Sequence, residues 1–138
     1  MNDSLIALPI LMQVTLVIIL YFALAIAKKK AVAAGTVNLE RRGLFDDAWP
    51  TNVIQINNCI RNQFELPILF YVMIGLLWAL DSINLFVHIT AWIFVLSRVA
   101  HAYVHTHGNH VPLRRRFFTI GALAIIILMV AAIQKIAL

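Results

Sequence analysis

The stretch IRNQFELPILFYVMIGLLWAL, residues 60–80, decides how this chain is to be read. From Leu66 onward it reads as membrane core, yet Arg61, Asn62 and Glu65 crowd its head. An ionisable side chain at the centre of a membrane helix costs about 2.5–3.5 kcal/mol on insertion scales, so it persists only with partners or a task. Most of what the sequence says about function follows from locating those partners.

The surrounding composition agrees with a membrane setting. Of 138 residues, 62% are hydrophobic and 12% charged, with a mean hydropathy of +0.89. Soluble domains hold roughly 45–50% apolar and about 25% charged residues. The length suits one domain. A net charge of +5 is no sign of nucleic-acid binding here, because the basic residues lie between apolar runs and obey the positive-inside rule. One cysteine, Cys59, forms no internal disulfide and reads as a small apolar filler. The first apolar run follows MNDS, without a basic leader or cleavage site, and is expected to be a retained helix.

A helix needs roughly 20 residues to cross a hydrocarbon core, and four runs are long enough: about 5–27, 53–80, 83–107 and 112–136. They predict an all-α, up-down bundle of four transmembrane helices. Pro50 suits the first turn of the second helix; Gly108-Asn109 reads as the stop of the third. Pro67 predicts a kink just past Glu65 and a freed backbone carbonyl.

Eight of the eleven basic residues fall on one side: Lys28, Lys29, Lys30, Arg41, Arg42, Arg114, Arg115 and Arg116. The opposite side shows Asp3, Asp81 and Lys135. Both termini and the Asp81-Ser82 turn are therefore expected on the periplasmic or luminal side.

At about 100° per residue, Gln55, Asn58, Arg61, Asn62 and Glu65 share an arc of roughly 120° on the second helix. Arg98, His101 and His105 share roughly 60° on the third. At 1.5 Å rise per residue, Glu65 lies roughly 18 Å and Arg98 roughly 15 Å inside the cytoplasmic boundary. Helices joined by a tight turn are antiparallel neighbours, so Glu65 is expected to pair with Arg61 or Arg98. One carboxylate cannot neutralise Arg61, Arg98 and Arg114 together. The cavity is expected to be electropositive and to take an anion, arginine being suited to bidentate carboxylate recognition. His101, His105, His107 and His110 lack a nearby acidic or thiolate co-ligand, so no metal site is expected. His88 is expected to pack near the outer leaflet.

Two segments now carry a resemblance. Arg61-Asn62-x-x-Glu65-x-Pro67 on the second helix, with SRVAHAYVHTHGNHVPLRRRFF at 97–118 supplying Arg98, His101, Pro112 and Arg114, resembles the MAPEG family, the membrane-associated proteins in eicosanoid and glutathione metabolism. The resemblance implies a homotrimer with three cytoplasm-facing sites at subunit interfaces, each holding glutathione as co-substrate for attack on lipophilic electrophiles. By it, Arg61 and Asn62 contact glutathione, Glu65 takes its amino group and His101 lines the pocket. Arg98 and Asn58 join the same binding set. Arg114 would stand near the sulfur and favour the thiolate, which is the nucleophile; His105 is the alternative activator, as a base.

The chain departs from the family's pattern at the site. Eicosanoid-type members carry arginine where Asn58 stands, and tyrosines near the thiol are replaced by His105 and Phe118. The resulting expectation is a bacterial-type inner-membrane thiol transferase or peroxidase. Two other classes stand beside it: a binding or scaffold protein without chemistry, favoured by Phe118 and His105, and a small proton-coupled transporter. Small exporters of that last kind carry their glutamate in the first helix, and Leu5–Ala27 has no acid.

Overall fold

The computed structural model describes residues 3–137. The expected placement of the two chain ends concerns residues 1, 2 and 138, which lie outside the described residues. A short 3-10 turn, Asp3–Ile6, leads into α1, Ala7–Ala33. Then come α2, Thr51–Asn62, α3, Leu66–Ala79, α4, Leu85–His107, and α5, Val111–Ala137. Four segments are long and apolar enough to cross a membrane: Ser4–Ala33, Thr51–Ala79, Leu85–His107 and Val111–Ala137. The expected up-down four-span bundle is what forms.

Its boundaries differ from the expected ones for identifiable reasons. The first helix runs six residues beyond Ala27, through Lys28–Lys30 to Ala33, because lysine is a good helix former whose charge ends the apolar span without ending the helix. The third span begins at Leu85, where the Asn84 side chain accepts a hydrogen bond from the Val87 amide at 3.0 Å, an N-cap. It stops where expected, but the left-handed residue is Asn109, φ 49°, and not Gly108, which is extended at φ −166°.

The second span is broken, not merely kinked. Pro67 sits in the first turn of α3, and its ring would clash with the Gln63 carbonyl in a continuous helix. The chain instead closes α2 with tight turns, Gln63 N–H to Ile60 O at 2.9 Å and Phe64 N–H to Arg61 O at 3.0 Å. Glu65 then leaves helical conformation (φ −102°, ψ −98°) before α3 starts. The break orphans carbonyls inside an apolar environment, which demands internal partners. The Gln63 amide donates to Cys59 O at 3.2 Å, and Arg98 Nη2, from α4, donates to Asn62 O at 3.2 Å.

Two apolar clusters form the core. One joins Phe70, Ile74, Leu77, Val87, Phe94 and Leu128 toward the Asp81 end; the other joins Leu20, Leu24, Ala27, Val53, Cys59 and Ala102 toward the lysine-arginine end. Phe70 and Phe94 stack at 4.4 Å between centroids, binding α3 to α4. Along α1, the second span and α4, the residue between the clusters is polar and fully buried: Gln13, Gln63 and Arg98. Gln13 Nε2 donates to Gln63 Oε1 at 3.0 Å, tying α1 to the break. On α5 the matching position is Gly121, where a Cβ would stand 3.0 Å from Ser97 Oγ and 3.5 Å from Arg98 Cδ. The missing side chain lets α5 close over Arg98.

Candidate functional site

Arg98 is the deepest charged group, with no solvent exposure. One guanidinium nitrogen holds the Asn62 carbonyl, and the Phe118 ring lies 5.8 Å from its Cζ. Nε and Nη1 meet no partner among the described residues. No carboxylate forms an ion pair with it: the two ion pairs among the described residues are Arg41–Asp47 and Arg61–Asp46. A buried cation left this way is costly unless an anion or water reaches it.

Directly beside it, Asn62, His101, Val111, Arg114, Arg115 and Phe118 line a cleft of about 210 Å³ at the basic end of the bundle. Arg114 is fixed by Nη1 donating to Asn109 Oδ1 at 2.6 Å, so the residue that stops α4 also aims the arginine that opens α5. His101 Nδ1 lies 3.1 Å from the Arg114 carbonyl. A carbonyl only accepts, so Nδ1 carries the proton and Nε2 keeps its lone pair. That Nε2 is buried and has no partner among the described residues. His105, one turn away with its ring 5.7 Å from that of His101, does not line the cleft. Its Nδ1 faces the Asn62 side-chain amide nitrogen at 3.4 Å, so its lone pair is directed at a donor.

The expected polar stripe on the second span does not face α4 as one surface. Asn62 turns toward His105, and Gln63 turns toward α1. Arg61 turns to the loop after α1, giving Nη2 to Asp46 Oδ2 at 2.6 Å and Nη1 to Asn58 Oδ1 at 3.4 Å. Glu65 is exposed and pairs with neither Arg61 nor Arg98. The expected Glu65 ion pair is thus not formed within the chain. Its premise was one polar face at matched depth on antiparallel neighbouring helices, and the break at 63–65 takes Glu65 off that face. The structure brings Asn62, His101 and Arg114 around one cleft, with Arg98 fully buried behind it; it sets Asn58, Arg61 and Glu65 on the outer flank.

Three residues, Gln13, Gln63 and Asp46, went unremarked in the sequence reading, and Asn109 was read only as a helix stop. Gln13 had a signal, being a lone amide in an apolar span that must find a partner across helices. Gln63 lay within the quoted motif itself, whereas Asp46 and Asn109 are loop residues whose partners no periodicity reveals.

Comparison with curated proteins and with solved structures gave no match. The family model for the MAPEG family matches residues 6–134, nearly the whole chain. With its four membrane-capable spans and its polar site formed by the second, third and fourth, the protein is an integral membrane protein and belongs to the MAPEG family.

Proposed function

We propose that the protein is a glutathione-dependent transferase or peroxidase acting on lipophilic electrophiles. The carrying observation is the unneutralised Arg98 beside a cleft lined by Arg114 and Arg115 and by no acid. Such a site takes an anion, and a tripeptide with two carboxylates and a thiol fits both its charge and the family. Arg98, Arg61, Asn62 and Asn58 hold the carboxylates and peptide. Arg114 stabilises the thiolate, and the His101 Nε2 lone pair, buried in the wall of the cleft, is the proton acceptor.

A second chain completes the site. About 210 Å³ falls below the roughly 300–1,000 Å³ of ordinary ligand pockets. Glu65, exposed in the middle of a span, would be a carboxylate facing lipid unless another copy covers it. Both features support a homotrimer with sites between copies, Glu65 meeting the ligand's amine there. Phe118, lining the cleft where the family places a phenol, supports the alternative of a binding protein without turnover.

Calorimetric titration of glutathione into detergent-purified protein tests the reading. Saturable binding that weakens with salt is expected, as is turnover of a lipophilic electrophile. No heat and no turnover would overturn it, and binding without turnover would select the alternative.

The orientation is read from charge: residues 28–42 and 107–116 face the cytoplasm, and both termini and Asp81 face the periplasm or lumen. Thr36→Cys is expected to react with an impermeant maleimide only after the membrane is opened, since the native Cys59 is buried. Labelling of intact cells would reverse the orientation.

A further inference from the structure

The loop between α1 and α2 is a folded strap. It leaves α1 through Gly35, whose φ of +68° needs glycine. It is anchored by Asn38 N–H to Ala48 O at 3.0 Å, by Trp49 Nε1 to Arg42 O at 3.2 Å, and by Lys28 Nζ over the Trp49 ring at 4.9 Å. These contacts set the turn Asp46–Ala48 without using the Asp46 side chain. That side chain reaches across to α2 and takes the Arg61 guanidinium at 2.6 Å. Its neighbour Asp47 is occupied elsewhere, both oxygens lying 3.1 Å from Arg41 Nη2.

Arg61 therefore already holds a carboxylate, the group that the reading above assigns to its ligand. The pair is open to water, with 60% of the Arg61 and 50% of the Asp46 side chain exposed, and exposed pairs of this kind are weak. Exchange needs only a swing of the Asp46 side chain into solvent, because the strap keeps its own anchors. We propose that Asp46 is an internal competitor for Arg61, displaced by a carboxylate of the ligand, and that it sets the affinity of the site for anionic thiols. The proposal rests on the reading of Arg61 as a carboxylate binder. It implies that the protein's apparent affinity is lower than its binding residues alone would give, and that removing the aspartate helps carboxylate ligands only.

The test is a double-mutant cycle read by calorimetry on the full chain in detergent, with glutathione and its diester as probes. Asp46→Asn is expected to tighten glutathione about two- to fivefold, the range of a displaced exposed ion pair, and to leave the diester unchanged. Asp47→Asn is expected to change neither. In an Arg61→Gln background, Asp46→Asn is expected to have no effect; a general loss of negative charge at the mouth would act with or without Arg61. Asp46→Ser serves as the second variant if Asp46→Asn fails to fold. If the parent binds glutathione and neither variant tightens it, or if the tightening persists without Arg61, the competitor role is overturned and the site reading stands. If the parent binds no glutathione, the site reading fails and the competitor role falls with it.

Discussion

Replacing Glu65 with glutamine is expected to abolish glutathione binding while the protein stays folded and oligomeric. Among the described residues Glu65 forms no ion pair, and it lies exposed beside the break between α2 and α3. Removing its charge leaves no internal cation newly unpaired, so the fold has nothing to lose. The ligand does: an amine buried against a carboxylate loses about 2–5 kcal/mol when that carboxylate is truncated, at least roughly a thirtyfold weakening. Titration calorimetry and the mass of the detergent-solubilised assembly are read together. Unchanged affinity in Glu65→Gln would remove Glu65 from the ligand's amine. Dissociation into single chains would make it a staple between copies instead.

The second large effect concerns the thiol. With Phe118 and His105 where phenols are expected, Arg114 is left as the group that stabilises negative charge on sulfur. Its charge is permanent, so it acts only electrostatically. A cation within about 4–6 Å lowers an acid's pKa by about 1–3 units. Arg114→Ala is therefore expected to move the titration of bound glutathione to higher pH by that amount, cutting the thiolate at neutrality roughly eightfold to thirtyfold if the unassisted thiol titrates near the ordinary value of about 8.5. Thiolate absorbance against pH gives this directly. His105→Phe is expected to be nearly silent, since its ring nitrogen is turned to the Asn62 amide and the residue does not line the cleft. His101→Phe is expected to remove an acidic limb from the pH–rate profile if Nε2 takes the proton. An unmoved titration in Arg114→Ala, with binding retained, would reduce Arg114 to an anchor at the membrane face.

Both expectations depend on geometry that only part of the sequence reveals. Four spans were legible because crossing a bilayer demands length and apolarity, which are properties of composition along the chain. The second and third spans were marked as the site because polar residues in an apolar run stand out wherever they lie, and the motif around Arg61, Glu65 and Pro67 carried the family. Pro67 also announced a disturbance. What it could not announce was the form: a full break that takes Glu65 out of register with Arg61, gives the Asn62 carbonyl to Arg98, and draws Gln63 toward Gln13. Helical periodicity assigns a common face only while the helix continues, so the reading failed at the point where the helix ends. Partners supplied by loops lay beyond it for a related reason. Asp46 on Arg61 and Asn109 on Arg114 are set by how the strap and the α4–α5 turn fold back, and no spacing in the chain encodes a return. The sequence determined that this is a membrane bundle with an excess of buried positive charge; the tertiary structure decided which arginines remain open to a ligand, because only packing shows which donors are already engaged.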